Sequence, residues 1–145
     1  MHAQTLSMPI SILNPKQPCC VEIGTRVSRA VELMQDGKFG CLLVVDSRRQ
    51  LVGIVTERDV LVHIFGRRVD AENTIVDDVM TPNPEALCSS DPIAFALNLM
   101  HLGRYRHVPL VTVDREEGDY CPVGIVSTKD IMNYVATFLA SEEEE

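Results

Sequence analysis

The chain repeats itself, and a repeat constrains a fold more tightly than composition does, because each copy must bury the same apolar face in the same way. A shift of 66 residues lays 21–46 over 87–112, so that Val27 meets Ile93, Ala30 meets Ala96, Val31 meets Leu97, Leu33 meets Leu99 and Met34 meets Met100. Gly37 falls on Gly103. Further on the shift becomes 71, and LVGIVTERDV at 51–60 falls on PVGIVSTKDI at 122–131. The five extra residues fit a longer turn in the second copy, where Asp114, Glu116, Glu117, Gly118 and Asp119 cluster. Insertions belong in exposed turns.

Each copy reads as strand, helix, strand, strand, helix. In the first helix of copy two, Asp91 is the expected N-cap and Pro92 the first helical residue; Ile93, Ala96, Leu97 and Met100 recur at helical spacing, and Gly103 is the stop. In copy one Thr25 is the expected cap, Val27, Ala30, Val31 and Met34 form the stripe, and Gly37 is the stop. The runs 41–45 and 51–55, rich in Val, Leu and Ile, flank the polar turn 46–50 and predict a buried β-hairpin. The second helices are expected over 57–65 and 129–139. Neither copy has enough residues to bury two helices against three short strands. The expectation is therefore an α/β (α+β) fold in which two β-α-β-β-α repeats pack with pseudo-twofold symmetry into one module. The organisation is an extension at 1–9, repeat one at 10–66, a polar linker at 67–76, repeat two at 77–140 and an acidic tail at 141–145, expected to be frayed and solvated.

Charge narrows the partners. The 13 Lys+Arg and 21 Asp+Glu leave a net charge of −8, half of which sits in the run Glu142 to Glu145. Such a chain repels the phosphate backbone, so direct nucleic-acid binding is not expected. No apolar run approaches the roughly 18 residues of a membrane span, and no secretory signal is visible. The five cysteines are odd in number and form no C-x-x-C pair, which argues against a disulfide framework or zinc site and for reduced, cytoplasmic thiols. The vicinal Cys19 and Cys20 read as incidental. His63, His101 and Cys88 match no metal-binding spacing, and His107 has no nucleophile elbow to serve, so an enzyme is not expected.

The sharpest repeated element is Gly-hydrophobic-x-Thr/Ser-x-x-Asp: Gly53, Ile54, Thr56, Asp59 and Gly124, Ile125, Ser127, Asp130. It joins a strand end to a helix start each time. One reading is a capping box, in which hydroxyl and carboxylate satisfy helix N–H groups. The other is a ligand site. A helix start favours anions, a hydroxyl donates to phosphate or ribose, a fixed Asp accepts from ribose hydroxyls, and Gly permits close backbone approach. Asp in place of the longer Glu or Gln of a capping box favours the second, because a shorter carboxylate can point outward.

Two copies of this pattern, with GIVTERD and GIVSTKD at equivalent ends and DDVMTPNP (77–84) leading into the second, resemble a tandem pair of CBS (cystathionine β-synthase-type) domains of the stand-alone bacterial type. The resemblance covers roughly residues 10–139. It implies two pseudo-symmetric clefts between the repeats that bind adenosine derivatives such as AMP, ADP, ATP or S-adenosylmethionine as regulatory ligands, with no required cofactor. It also implies a homodimer, expected through the second helices of each repeat, and a regulated partner protein. Asp59 and Asp130 match the family's ribose-binding aspartate, and Thr56 and Ser127 its hydroxyl. At the family's phosphate-facing positions copy two holds Arg106 and His107, whereas copy one holds Gly40 and Cys41. The Asp130 site is thus expected to suit an anionic phosphate, with Arg104 and Lys129 nearby, and the Asp59 site to stay empty or take a less charged adenosine. The alternative is a ligand-independent dimerisation or scaffold domain in which the boxes only cap helices.

Overall fold

The computed structural model describes residues 3–103, 105–114 and 119–144. In chain order it forms α1 (Ala3–Ser7), a 3-10 turn (Ile10–Leu13), β1 (Cys20–Glu22), α2 (Val27–Gly37), β2 (Cys41–Val45), β3 (Leu51–Thr56) and α3 (Glu57–Leu61). α3 runs on into a π turn (Val62–Gly66), followed by a 3-10 turn (Val76–Asp78), β4 (Thr81–Pro82), α4 (Ile93–Gly103), β5 (His107–Asp114), β6 (Asp119–Ser127) and α5 (Thr128–Glu144). This is the mixed α+β fold that the repeat predicts. Its compact units cut across the sequence repeat. One is built on Pro18–Pro84, and the other joins the N-terminal segment up to Gln17 with Glu85–Val113 and the segment from Val123.

In the Pro18–Pro84 unit the sheet order is β1-β2-β3-β4, with β1 parallel to β2 and the other pairs antiparallel. Every residue of β2 is buried, as a central strand covered on both faces demands. The β2–β3 turn is closed by Asp46, whose Oδ1 accepts from the backbone N–H groups of Arg48 and Gln50, both at 2.9 Å, with Arg49 in the left-handed region (φ 63°). Val27, Ala30, Leu42, Val44, Val55 and Val76 are fully buried at the centre of the core.

The other unit carries the two-stranded sheet β5-β6. Its expected leading strand is reduced to one parallel bridge, Leu87 to Leu110. Pairing stops there because the chain turns: Cys88 N–H donates to Asp91 Oδ2 at 2.8 Å and Asp91 N–H to the Cys88 carbonyl at 3.0 Å. Residues 10–17, expected to open repeat one, belong to this unit. Ile10 is fully buried with Ile93, Ala96 and Val126, and the Lys16 carbonyl accepts from Ile125 N–H at 3.1 Å. The α5 helix continues to Glu144, past the point at which the tail was expected to fray; side chains beyond Ala140 lie outside the described residues.

Both expected first-helix caps are corrected. The N-cap of α2 is Arg26, with no side-chain cap, and Thr25 Oγ1 instead donates to the Glu22 carbonyl at 2.7 Å. The orphan Val27 and Ser28 N–H groups go to the carbonyls of Thr74 (2.8 Å) and Ala71 (3.0 Å). Asp91 is spent on its own turn, and Ile93 N–H donates to the Met8 carbonyl at 2.9 Å. Thr74 and Met8 occupy equivalent places, one in each unit.

Gly37 and Gly103 close their helices for a reason other than backbone freedom. The left-handed residue after α2 is Lys38 (φ 56°), and a Cβ at Gly37 would meet the ring of Phe39, as one at Gly103 would meet the ring of Tyr105. Gly53 is filled the same way by the Met80 side chain. Gly53→Ala is expected to cost about 1–3 kcal/mol by overpacking. Adding Met80→Ala should bring the double variant closer to wild type than the two single losses add up to, a coupling readable by urea denaturation.

Candidate functional site

Both T/S-x-x-D segments fold into closed capping boxes. Thr56 stands at the N-cap of α3 in extended conformation (φ −102°, ψ 164°); its N–H donates to Asp59 Oδ2 at 2.9 Å, and Asp59 N–H donates to Thr56 Oγ1 at 3.2 Å. Ser127 and Asp130 repeat the pair at the same 2.9 and 3.2 Å. The expectation that the shorter carboxylate points outward is corrected for one oxygen of each Asp: an extended N-cap brings its own N–H within reach of a carboxylate one methylene shorter than that of the usual Glu. Each Asp is half-buried and spends Oδ2 on the box, and Oδ1 has no partner among the described residues.

The residues at the start of the preceding strand come to the same place. The Gly40 carbonyl accepts from Glu57 N–H at 3.1 Å, and the Arg106 carbonyl from Thr128 N–H at 3.0 Å. Gly40 thus joins Thr56 and Asp59, and Arg106 joins Ser127 and Asp130, each set within its own unit. Sequence reading missed Glu57 and Thr128 as the donors of this link, although both follow the box hydroxyl directly. Arg106 is exposed and His107 half-buried at the start of β5. Lys129 and Arg58 are exposed beside their aspartates. Arg104 lies outside the described residues.

Packed side chains lie over both glycines of the motif. The space over Gly53 is taken by Met80, and a Cβ on Gly124 would sit 3.4 Å from Leu110 Cδ1 and from Pro15 Cβ. Gly53 is required by the packing of Met80, whereas a Cβ on Gly124 would make ordinary van der Waals contacts. A groove of about 480 Å³, which sequence reading did not single out, opens between α2 and α3, lined by Val31, Met34, Gln35, Lys38, Phe39, Glu57, Val60 and Leu61.

The cysteines are thiols with no disulfide among the described residues. Burial raises Cys19 against the opposing charge of Arg29, and raises Cys20 against that of Arg49. Cys41, which pairs with Thr56 across β2–β3, is pushed up to about 12 by burial, then by Cys19 and the Glu57 carboxylate. None of the three is activated as a nucleophile. Among the described residues no group of three or more His, Cys, Asp or Glu is arranged to hold a metal ion, and no helix is long and apolar enough to cross a membrane.

Two tandem repeats of this architecture, each opening its last helix with the same box, define a class of paired α+β modules, and comparison with known proteins gives the class its name. The family model described as CBS domain matches residues 12–66 and 76–137, and the chain belongs to the CBS domain family. The meiotically up-regulated gene 70 protein of Schizosaccharomyces pombe is 30% identical over 128 residues, which are 86% of this chain and 18% of that protein. The chain thus spans less than a fifth of the length of that relative. Among solved structures, a CBS domain pair in complex with 5′-methylthioadenosine and S-adenosyl-L-methionine superposes with a TM-score of 0.76 at 22% identity, covering 91% of this chain and 98% of that one. A CBS domain protein from Pyrobaculum aerophilum complexed with AMP gives a TM-score of 0.74 at 21% identity, covering 85% and 89%.

The Cys41 thiol makes a pH prediction. Its folded-state value lies above the ordinary 9.0, so the folded chain holds this proton more tightly than the unfolded chain. The stabilisation is complete below pH 9 and is lost as pH rises through about 12, at up to about 1.4 kcal/mol per pH unit within that window. Cys41→Val should flatten this part of the alkaline stability curve relative to wild type. Iodoacetamide at pH 8 should alkylate Cys41 last of the described cysteines, which peptide mass spectrometry reads directly.

Proposed function

We propose that this chain is a regulatory rather than catalytic module that binds an adenosine derivative (AMP, ADP, ATP or S-adenosylmethionine) at its two boxes and passes occupancy on as a conformational or partner-binding change. The observation that carries the reading is the duplicated half-buried aspartate: Asp59 and Asp130 are fixed by identical hydrogen bonds, and each keeps one carboxylate oxygen without a partner among the described residues. A carboxylate locked in this way accepts from the two hydroxyls of a ribose with no further ordering cost. Similar folds solved with AMP, and with 5′-methylthioadenosine and S-adenosyl-L-methionine, support the ligand class.

The two sites differ in the charge around them. Arg106, His107 and Lys129 stand by the Asp130 box and suit a phosphate. Gly40, the neutral Cys41 thiol and the Glu57 carboxylate stand by the Asp59 box and disfavour one, so a less charged adenosine fits there. The module works as a cytoplasmic homodimer that associates through the second helices of its repeats, and ligand shifts its equilibrium with a regulated protein through differential affinity. One observation favours a second reading, a ligand-independent scaffold: both boxes are fully closed as helix caps and need no ligand to satisfy their N–H groups.

Calorimetric titration with the four ligands separates the two. The sensor reading expects heat from at least one of them and a raised Tm, with linkage of about 2.7 kcal/mol at 100-fold excess over Kd; no heat and no shift for all four leaves the scaffold. Asp130→Asn keeps an oxygen for the Ser127 N–H and removes the charge. It should weaken phosphorylated ligands by about tenfold or more while changing stability by about 1 kcal/mol or less, and Asp59→Asn should weaken them less. Equal losses would overturn the asymmetry.

A further inference from the structure

We propose that α1 is a latch on the second repeat: it docks on α4 and α5, the Tyr134 hydroxyl holds it there, and a ligand at the Asp130 box tightens the hold. The inference rests on the ligand reading above and names the segment that moves when that box is filled.

Residues 3–10 and 69–76 are counterparts under the shift of 66, and each is stitched to the start of a first helix, α4 and α2 respectively. Ile93 N–H to the Met8 carbonyl (2.9 Å) repeats Val27 N–H to that of Thr74 (2.8 Å), and Ile10 N–H to the Asp91 carbonyl (2.9 Å) repeats Val76 N–H to that of Thr25 (2.7 Å). The bridge between Pro9 and Pro92 repeats the one between Ile75 and Arg26. The symmetry breaks at one carbonyl. Ala71 accepts from Ser28 N–H at 3.0 Å, whereas its counterpart Thr5 accepts from the Tyr134 hydroxyl of α5 at 3.4 Å, across 129 residues of sequence. Within α1 that carbonyl has no helical donor, because residue i+4 is Pro9, which carries no N–H. Around the bond Thr5 is buried at 6% exposure, Leu6 packs on the core of Ile93, Ala96 and Ile131, and the Tyr134 ring stands edge-on to Phe138 at 4.9 Å.

Two features make this contact a latch rather than a strut. The first is tethering. Segment 69–76 continues from the π turn and is held there by backbone bonds, Arg67 N–H to the Val62 carbonyl at 3.2 Å and Val69 N–H to that of His63 at 3.1 Å. The shift of 71, carried on along the helix, sets His63 under Tyr134. The same helix position thus anchors both segments, through the backbone of a continuous stretch in the first repeat and through a side-chain hydroxyl in the second. The second feature is length. An O–H···O bond is normally about 2.5–3.0 Å, so at 3.4 Å a small shift of α5 decides whether the hydroxyl holds. Tyr134 stands one turn after Asp130 on α5. A ligand held by Asp130 and a docked α1 therefore restrain the same part of one helix, and whichever arrives second meets a lower ordering cost. Release takes the Met8 carbonyl from Ile93 N–H and uncovers the bed of Leu6 beside Tyr134, an output that a partner protein can read.

The test is hydrogen exchange of the amides at 4–8, followed by mass spectrometry on the full chain. Tyr134→Phe removes only the hydroxyl and should speed their exchange about threefold to tenfold, the worth of one hydrogen bond. In wild type, saturation with whichever of AMP, ADP, ATP and S-adenosylmethionine gives heat should slow the exchange about fivefold or more, and Asp130→Asn should abolish that slowing. Linkage requires the same factor to separate the Kd of wild type from that of Leu6→Asp, which frees α1. Tyr134→Phe added to Leu6→Asp should then weaken binding no further, a non-additivity that a merely structural tyrosine would not show. Tyr134→Phe keeps the ring packing and decides the point even where Leu6→Asp does not fold. No heat with any of the four ligands overturns the ligand reading and this inference with it. Heat without slower exchange at 4–8, exchange in Tyr134→Phe equal to wild type, or Kd losses that add in the double variant overturn the latch alone.

Discussion

Much of this structure depends on where two helix N-termini find acceptors for their orphan N–H groups. Neither α2 nor α4 carries a side-chain cap among its described hydrogen bonds; Val27 N–H is taken by the Thr74 carbonyl and Ile93 N–H by the Met8 carbonyl. Each acceptor sits in the short non-helical segment that leads into the sequence repeat other than the one whose helix it serves. Such a bond fixes the lead-in's position, and the lead-in then completes the sheet: Thr81–Pro82 pairs with β3 at Gly53 and Ile54, and Lys16 pairs with Ile125 of β6. A repeat cut out at its sequence boundaries would lose both its helix cap and its edge strand. That explains why compact units and sequence repeats have different bounds.

The same fact marks what the sequence can disclose. The apolar stripes of α2 and α4, the buried hairpin and the Asp46 turn are periodic or local, and all were readable from residue types at short spacing. The boxes at Thr56–Asp59 and Ser127–Asp130 were readable too, because the hydroxyl and carboxylate stand three residues apart. Thr25 and Asp91 misled because a cap is a competition. Asp91 lies within reach of Cys88 N–H and closes that turn instead, while a carbonyl from the distant lead-in reaches the helix start. No local pattern announces that carbonyl. Gly53 and Gly124 misled similarly, since a glycine that admits a ligand and one that admits Met80 or Leu110 look alike until the neighbours are known.

On the proposed reading, one geometry serves two roles at the boxes. A capping carboxylate has two oxygens, and the box consumes one. The cap holds the Asp side chain in one rotamer, so the remaining oxygen is presented at a fixed place rather than sampled from several. Capping and ligand reading are therefore not exclusive alternatives: the first supplies preorganisation of the kind that the proposed second role requires. What distinguishes the two sites lies outside the box, in the residues that follow the shared carbonyl link. Arg106 and His107 in one copy and Gly40 and Cys41 in the other hang from the same backbone bond to the next helix, so duplication preserved the frame while substitution changed the charge.

On the proposed reading, ligand and assembly meet on one helix. α5 begins immediately after Ser127, carries Asp130 in its first turn, and presents Met132 and Leu139 over the next three. A ligand held by Asp130 would restrain the first turn of a helix whose following turns belong to the proposed homodimer contact through the second helices. A change of α5 orientation at its N-terminus is carried along a continuous hydrogen-bonded rod, so the dimer contact and the ligand site bias the same element. Linkage makes the coupling reciprocal: a ligand that tightens the dimer must itself bind the dimer more tightly, by the same factor. The first repeat lacks this continuity, because α3 gives way after Leu61 to the π turn at Val62–Gly66. On the same reading, occupancy of the Asp59 box has a shorter rigid lever than occupancy of the Asp130 box.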